Sequence, residues 1–573
     1  MNNDKSEIDK IFDLAIKDHK ENKFDTALNS YNKILDKDEY NLKALFYLGT
    51  LYLQIKKFEE AKKILTKLIK VNSEISDAHN NLGVVFQELD ELENAKNSFK
   101  NAIKLNPKHI DAYNNLGAVY KKLGEYEKSE FNIKKSLEFN PKYANAYNNL
   151  ALLYKKFEEF DKSEKYFKKA FEINPRLFTA YDNLMEQYEK TNQDEKLEEL
   201  IIKTNEIFQN DKTVKLYRGK LLYKKELHHE AIEILNSFLF DEKDKELEIN
   251  RTITLAKSYD YLDKIDQAFK YFKKANDLNF ELKKDKIKKD NFLREISLRD
   301  KFYSKLSKIS CTINDQKKNN LEPLFMIGFP RSGTTLLDTI LRSHSSIEVI
   351  EEKPILSDSI NSLIKSEKGS LETLQDIDND GIVKIREEYY KKLKSYVPEY
   401  DASKIYINKL PLNIIYVGEV LRIFPKAKFI FSIRHPNDCV LSCFMQNFEL
   451  NDAMSNFLDL KDSAKLYNSV MSLWLTLNKK FSINLHEIRY EKLVSDSKTE
   501  IKSVLEFLKL PWEDALIDYQ KTAKKRKWIF TPSYDQVIKP IYSKSSGRWV
   551  RYEKYISDIL PILKPWIKKL GYD

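Results

Sequence analysis

The chain has 573 residues, enough for a repeat array plus one globular domain of ordinary size. Its 98 basic and 88 acidic residues leave a net charge of +10, which suits an anionic ligand, but the two signs alternate along the whole chain and exclude a dedicated nucleic-acid surface. Only Cys311, Cys439 and Cys443 are present, no apolar run reaches the roughly 18 residues of a membrane span, and the start is charged, so a cytoplasmic, reducing setting is expected.

A fixed period governs the first half. Pro107, Pro141 and Pro175 are 34 residues apart, each after an Asn that ends an amphipathic run. Gly49, Gly83 and Gly117 keep the same spacing, which Ala151 continues, where a small residue lets two helices approach. Tyr52, Phe86, Tyr120 and Tyr154 hold an aromatic position, and Ala61, Ala95, Ser129 and Ser163 a small one. These are tetratricopeptide repeats, predicted as an all-α solenoid of about eight helix pairs over residues 8–282. Asn81, Asn115, Asn149 and Asn183 recur at one repeat position and form a ladder along the predicted groove. It resembles the peptide clamp in the repeat domain of the enzyme that attaches N-acetylglucosamine to proteins, which implies a protein or peptide partner in the groove. The alternative is that each asparagine bonds to the neighbouring helix.

Residues 283–320 read as a joint, with Lys283, Lys284, Lys286, Lys288 and Lys289 punctuating a helix before a polar loop at 314–320. A second domain is predicted over 321–573.

That domain opens on Phe325-Met326-Ile327-Gly328, an apolar strand, followed by a loop through Pro330, Arg331, Ser332 and Gly333 and a helix beginning at Thr334 and Thr335. Leu336, Leu337, Ile340 and Leu341 recur at helical spacing, so backbone N–H groups and a helix N-terminus converge on a point that favours a phosphate or sulfate. The lysine that a nucleotide triphosphatase loop places on the terminal phosphates is missing, which disfavours ATP chemistry. A second apolar strand, Ala427 to Ile433, runs into Arg434-His435-Pro436-Asn437-Asp438, with Ser442 further along the helix. A third segment is Arg489-Tyr490-Glu491-Lys492-Leu493-Val494, with Phe507-Leu508-Lys509-Leu510-Pro511-Trp512 downstream.

In this order the three segments resemble sulfotransferases that use 3′-phosphoadenosine 5′-phosphosulfate (PAPS). The resemblance implies a P-loop-like α/β domain with a parallel sheet. It also implies PAPS as co-substrate, held by Arg331, Ser332, Gly333, Thr334 and Thr335 at the 5′ end, by Arg434 and Ser442 at the 3′-phosphate, and by Tyr490 near the adenine. The tyrosylprotein sulfotransferase branch is the most similar, given Gly547-Arg548-Trp549 after Asp535 to Pro540. By that likeness Glu352, second of the Glu351-Glu352 pair, is the base, Lys409 and Arg331 face the leaving group, and Ser533 is the catalytic serine. Arg548 stands where that branch has a nucleotide-holding lysine, with the charge kept and the hydrogen-bond geometry changed.

The chemistry asks for these residue types. A phenol with a pKa of about 10 is a poor nucleophile at neutral pH, so a carboxylate must accept its proton. Negative charge grows on the leaving oxygen, and fixed cations meet it without a metal. The acceptor stays open among protein tyrosine, a glycan and a small alcohol, and an inactive repeat scaffold is the rival from another class.

Overall fold

The computed structural model describes residues 2–306, 322–364, 371, 377–397, 399–525 and 546–572. Cys311, the polar loop at 314–320, Ser533 and the string at 535–540 lie outside them. The chain divides into two compact units, residues 1–209 and 210–573.

The first unit is a tetratricopeptide repeat solenoid of six helix pairs, from Asn2–Lys20 with Phe24–Lys37 to Phe178–Lys190 with Asp194–Ile207. Its 34-residue period has a second expression, at the turn inside each pair. Asn22, Lys56, Asp90, Gly124, Glu158 and Asn192 all adopt positive φ. There the chain leaves the first helix through a left-handed residue, and two reverse bonds close the end. Lys57 N–H reaches Tyr52 O at 2.8 Å and Lys56 N–H reaches Leu53 O at 3.1 Å, satisfying carbonyls that the helix itself cannot. Between the helices, contact is close. A Cβ on Gly83 would fall 2.6 Å from Phe99 Cε1, so a larger residue there forces the pair apart. Serine replaces alanine in two repeats without an orphaned hydroxyl, because Ser129 Oγ donates to Gly117 O at 2.7 Å and Ser163 Oγ to Ala151 O at 2.9 Å.

The second unit begins with two more helix pairs, Lys212–Lys224 with His228–Asn236 and Lys245–Tyr261 with Ile265–Lys283, followed by helix Lys289–Lys305. Five strands follow: β1 (Leu324–Gly328), β2 (Ile347–Glu351), β3 (Ile405–Lys409), β4 (Lys428–Ile433) and β5 (Asn484–Arg489). They form one sheet in the order β2-β3-β1-β4-β5, every neighbouring pair parallel. Side chains alternate between two cores, as a strand buried on both faces requires. Leu324 and Met326 join Leu337, Ile340, Ile501 and Leu505 on one face. Phe325 and Ile327 join Phe429, Phe431, Trp474 and Tyr389 on the other.

That second core does not stop at the sheet's own helices. Ile249, Ile253, Ala256, Ala268, Phe272 and Ala275 of the last repeat-like pair belong to it. Asn276 Nδ2 donates to Phe444 O at 2.9 Å across the same contact. The final hairpin is thus part of the interior of the sheet domain. Among the described residues no helix is long and apolar enough to cross a membrane.

Candidate active site

A parallel sheet delivers all its strand carboxyl ends to one edge, and the order reverses beside β1, whose neighbours are β3 and β4. Ligands of open α/β sheets bind in the crevice this creates. Each group of residues singled out from the strands' ends stands there: Glu351 and Glu352 after β2, Lys409 ending β3, residues 329–335 after β1, Arg434 after β4 and Tyr490 after β5.

The β1 loop is tight. Ser332 N–H donates to Phe329 O at 3.2 Å, and Ser432 Oγ donates to Ser332 O at 2.7 Å, which pins the loop to β4. Arg331 turns through φ +69°, a left-handed conformation that costs a non-glycine residue energy and that surrounding contacts must hold. Gly333, at φ +99°, N-caps helix Thr334–Leu341, and a Cβ there would fall 2.5 Å from Tyr490 Cδ2. Glycine alone lets the loop pass under the tyrosine ring. No side chain caps the helix, so its first-turn N–H groups face the crevice end available to an anion. Ser332 Oγ is buried and makes no hydrogen bond among the described residues, a second donor for that anion.

On the β4–β5 side the loop meets the second motif. Arg434 Nη1 donates to Arg331 O at 3.0 Å, and its guanidinium lies 4.6 Å from the Tyr490 ring centroid. Arg331 Nε donates to Ser442 Oγ at 3.0 Å. Arg331, Gly333, Arg434, Ser442 and Tyr490 therefore make one connected set.

On the β3–β2 side stands a buried charge cluster. Lys409 Nζ is fully buried, 3.1 Å from Glu351 Oε1, 3.1 Å from Glu352 Oε1 and 3.9 Å from Asp338 Oδ2. Arg342, one turn beyond Asp338 on the loop helix, bonds Asp338 Oδ1 at 2.5 Å and lies 3.9 Å from Glu351. Burial works against the Lys409 ammonium, but Glu351, Glu352 and Asp338 outweigh it and raise its pKa above the ordinary lysine value. The two glutamates are not equivalent: 5% of the Glu351 side chain is exposed and 35% of Glu352. Only Glu352 offers a carboxylate oxygen to a molecule in the crevice.

Arg548 has a different neighbourhood from the other expected nucleotide residues. Its guanidinium is buried against Asp260 of the last repeat-like hairpin, Nη2 to Oδ2 2.5 Å. The backbone beside it does reach the β4 motif: Gly547 N–H and Trp549 N–H both donate to Asp438, at 2.7 and 2.9 Å, and Trp549 stacks on His435. Ser533 lies outside the described residues. In the first unit each asparagine of the ladder donates to the first helix of the preceding repeat. Asn81 Nδ2 donates to Thr50 Oγ1 at 3.1 Å, Asn115 to Asn80 Oδ1 at 3.2 Å, Asn149 to Asn114 Oδ1 at 2.9 Å and Asn183 to Asn148 Oδ1 at 3.1 Å.

The sequence reading missed Asp338, Arg342, Asp438 and Asp260. Asp338 and Arg342 carried a signal, an acid and a base four apart on the helix that follows the loop. Asp438 carried only its place in the Arg434 motif, and Asp260 carried none, since its partner is 288 residues away.

This is an α/β domain built on a five-stranded parallel sheet, and it is similar to known proteins. A model of the sulfotransferase family matches residues 323–514. Tetratricopeptide repeat models match 19–80, 88–124, 110–143 and 144–177. An uncharacterized protein of Aquifex aeolicus is 34% identical over 260 residues, covering 43% of this chain and 33% of that one. The protein-tyrosine sulfotransferase of Drosophila melanogaster is 26% identical over 279 residues, covering 44% and 51%. Protein-tyrosine sulfotransferase 1 of Homo sapiens is 26% identical over 266 residues, covering 44% and 69%. The matched stretch thus spans a third to a half of the first two relatives. Among solved structures, a tetratricopeptide repeat protein from Parabacteroides merdae covers 43% of this chain and 98% of its own, at 22% identity and a TM-score of 0.36. The chain joins tetratricopeptide repeats to a domain of the sulfotransferase family.

Proposed function

We propose that this protein transfers a sulfuryl group from PAPS to the hydroxyl of a protein tyrosine, with the repeats recruiting the acceptor. The observation that carries the reading is the exposed Glu352 carboxylate held 3.1 Å from the buried Lys409 ammonium, beside an uncapped helix N-terminus. The family match supports sulfuryl transfer, and the naming of relatives as protein-tyrosine sulfotransferases supports the phenolic acceptor.

The residues fit the donor. The backbone of residues 332–335 and the orphaned Ser332 Oγ receive its 5′ end, Arg434 and Ser442 its 3′-phosphate, and Tyr490 its adenine. When bound, PAPS supplies a sulfuryl group on a phosphate leaving group. Glu352 takes the phenol proton as the acceptor oxygen attacks, which turns a weak nucleophile into a competent one at neutral pH. Lys409, and Arg331 held by Ser442, meet the charge left on the bridging oxygen, and Ser533 keeps only the catalytic role that the resemblance implies. The low cysteine content, three in 573 residues, supports a cytoplasmic site of action.

The test is incubation of the full chain with isotopically labelled PAPS and a cell extract, followed by mass spectrometry. Label on protein tyrosine is expected. Label on glycans or small alcohols instead would replace the acceptor, and failure of the chain to bind 3′-phosphoadenosine 5′-phosphate would overturn the donor.

A further inference from the structure

Arg548, expected to hold the nucleotide, is held by a repeat residue. Asp260 closes helix Lys245–Tyr261, and its carboxylate gathers three side chains from the C-terminal segment: Arg548 Nη2 at 2.5 Å, Tyr552 OH at 2.6 Å and Arg551 Nη2 at 3.3 Å. The contact continues along the same turn. Arg551 Nη1 is 2.8 Å from Asp263, Tyr555 OH 2.8 Å from Asp266, and the Phe269 and Tyr555 rings stack at 3.9 Å. On its other side this segment faces the β4 motif, where Asp438 receives the N–H groups of Gly547 and Trp549 and Trp549 covers His435.

We propose that Asp260 is a positioning residue for the nucleotide site: by fixing Arg548 it holds residues 547–549 on Asp438, so the last repeat hairpin sets affinity for the 3′-phosphate. The proposal rests on the PAPS reading above. Asp438 lies four residues after Arg434, in the first turn of helix Pro436–Phe444. In the structure two N–H groups occupy its carboxylate oxygens. Without Asp260 the Arg548 guanidinium is buried and unpaired, a state that is relieved by moving the segment outward. Asp438 then faces the 3′-phosphate as a bare carboxylate and competes for Arg434.

The experiment uses the full chain and calorimetry with two probes, 3′-phosphoadenosine 5′-phosphate and adenosine 5′-phosphosulfate, which lacks the 3′-phosphate. Asp260→Asn should weaken the first by about tenfold, the scale of one lost charge-assisted bond, and the second by much less. Hydrogen exchange at the Gly547 and Trp549 amides should quicken in the same variant, and Asp260→Glu should restore both readouts in part. Tyr552→Phe removes one bond without stranding a charge and should move both readouts the same way by less, so it decides the matter if Asp260→Asn does not fold. Wild type that fails to bind 3′-phosphoadenosine 5′-phosphate would defeat the donor assignment. Wild type that binds it, with affinity and amide exchange unmoved in Asp260→Asn and Tyr552→Phe, would overturn the role of Asp260 alone. So would a large loss in Arg548→Ala beside none in Asp260→Asn, which would make Arg548 a direct ligand.

Discussion

Glu352 and Lys409 meet at 3.1 Å, although the parallel register of β2 and β3 pairs Lys409 with Glu351 and not with its successor. Consecutive residues of a strand point to opposite faces. The alternation breaks because Glu352 enters the left-handed region at φ +51°, while its N–H still donates to Lys409 O at 2.8 Å. Two adjacent carboxylates thereby converge on one ammonium. With Asp338 and Arg342 the cluster holds three carboxylates against two cations, and the exposed member of the excess is Glu352.

Glu352→Gln keeps the shape and removes the base, so turnover should fall by roughly 10² to 10⁴ with nucleotide affinity near wild type. Glu351→Gln should act on stability, because its carboxylate is buried between Lys409 and Arg342. Steady-state kinetics and a melting curve on both variants separate the two. A crippled but stable Glu351→Gln would reverse the assignment.

Lys409→Ala leaves three carboxylates, two of them buried, with Arg342 as the cluster's one remaining cation, and breaking a buried pair from one side costs about 3–5 kcal/mol. Denaturant titration should show that loss. Adding Glu351→Gln in the Lys409→Ala background should recover part of it, since the stranded charge is what destabilises.

Arg434→Ala should weaken 3′-phosphoadenosine 5′-phosphate by roughly 30-fold or more, as expected for lost hydrogen bonds to a charged group. Adenosine 5′-phosphosulfate should suffer less, the remainder reflecting the lost bond to Arg331 O. Equal losses for both ligands, compared by calorimetry, would remove Arg434 from the 3′-phosphate.

Acid should act on the final hairpin through Glu248. Burial favours its neutral form, but Arg251 and Lys274 outweigh that and hold its carboxyl down at about 2. An unfolded glutamate titrates at about 4.3, so this group's stabilisation is complete above that pH and is lost as pH falls through about 2. The Glu248→Gln variant should melt lower at neutral pH and show a shallower decline between about pH 5 and 2.

Truncations should behave differently at two cuts. Residues 210–573 form a compact unit, so removing 1–209 should leave a cooperative melt and nucleotide binding. Removing 1–282 strips Ile253, Phe272 and their neighbours from the core that Phe444 and Trp474 share, and should yield an aggregating or poorly folded product. A monomeric 283–573 fragment with wild-type nucleotide affinity would refute the shared core.

Repeat period, helix pairing and the two strands β1 and β4 were legible in the chain because each rests on local rules, spacing of small and aromatic residues for the helices and apolar runs for the strands, whereas the parallel sheet was expected only from the family resemblance. The loop after β1 was legible for the same reason, since Gly333, the following helix and the strand before it are neighbours in sequence. The repeat turns were not, because five of the six left-handed residues in the first unit are not glycine and the conformation is imposed by the packing of the two helices. Nor did the ladder disclose its partners, as a carboxamide bonds equally well to a peptide and to the next repeat.

Which polar groups meet was decided by the tertiary structure alone. Lys409 and Glu351 are 58 residues apart, Arg331 and Ser442 111, and Arg548 and Asp260 288. A lysine- and glutamate-rich sequence contains many equally plausible pairs, and only burial, which makes an unpaired charge intolerable, selects among them. The sequence by itself determined the repeat array and the strand, loop and helix that begin the second domain's sheet. The fold decided that Glu352 is the accessible acid and that Arg548 belongs to the last repeat hairpin, because both follow from what surrounds a side chain and not from its neighbours in the chain.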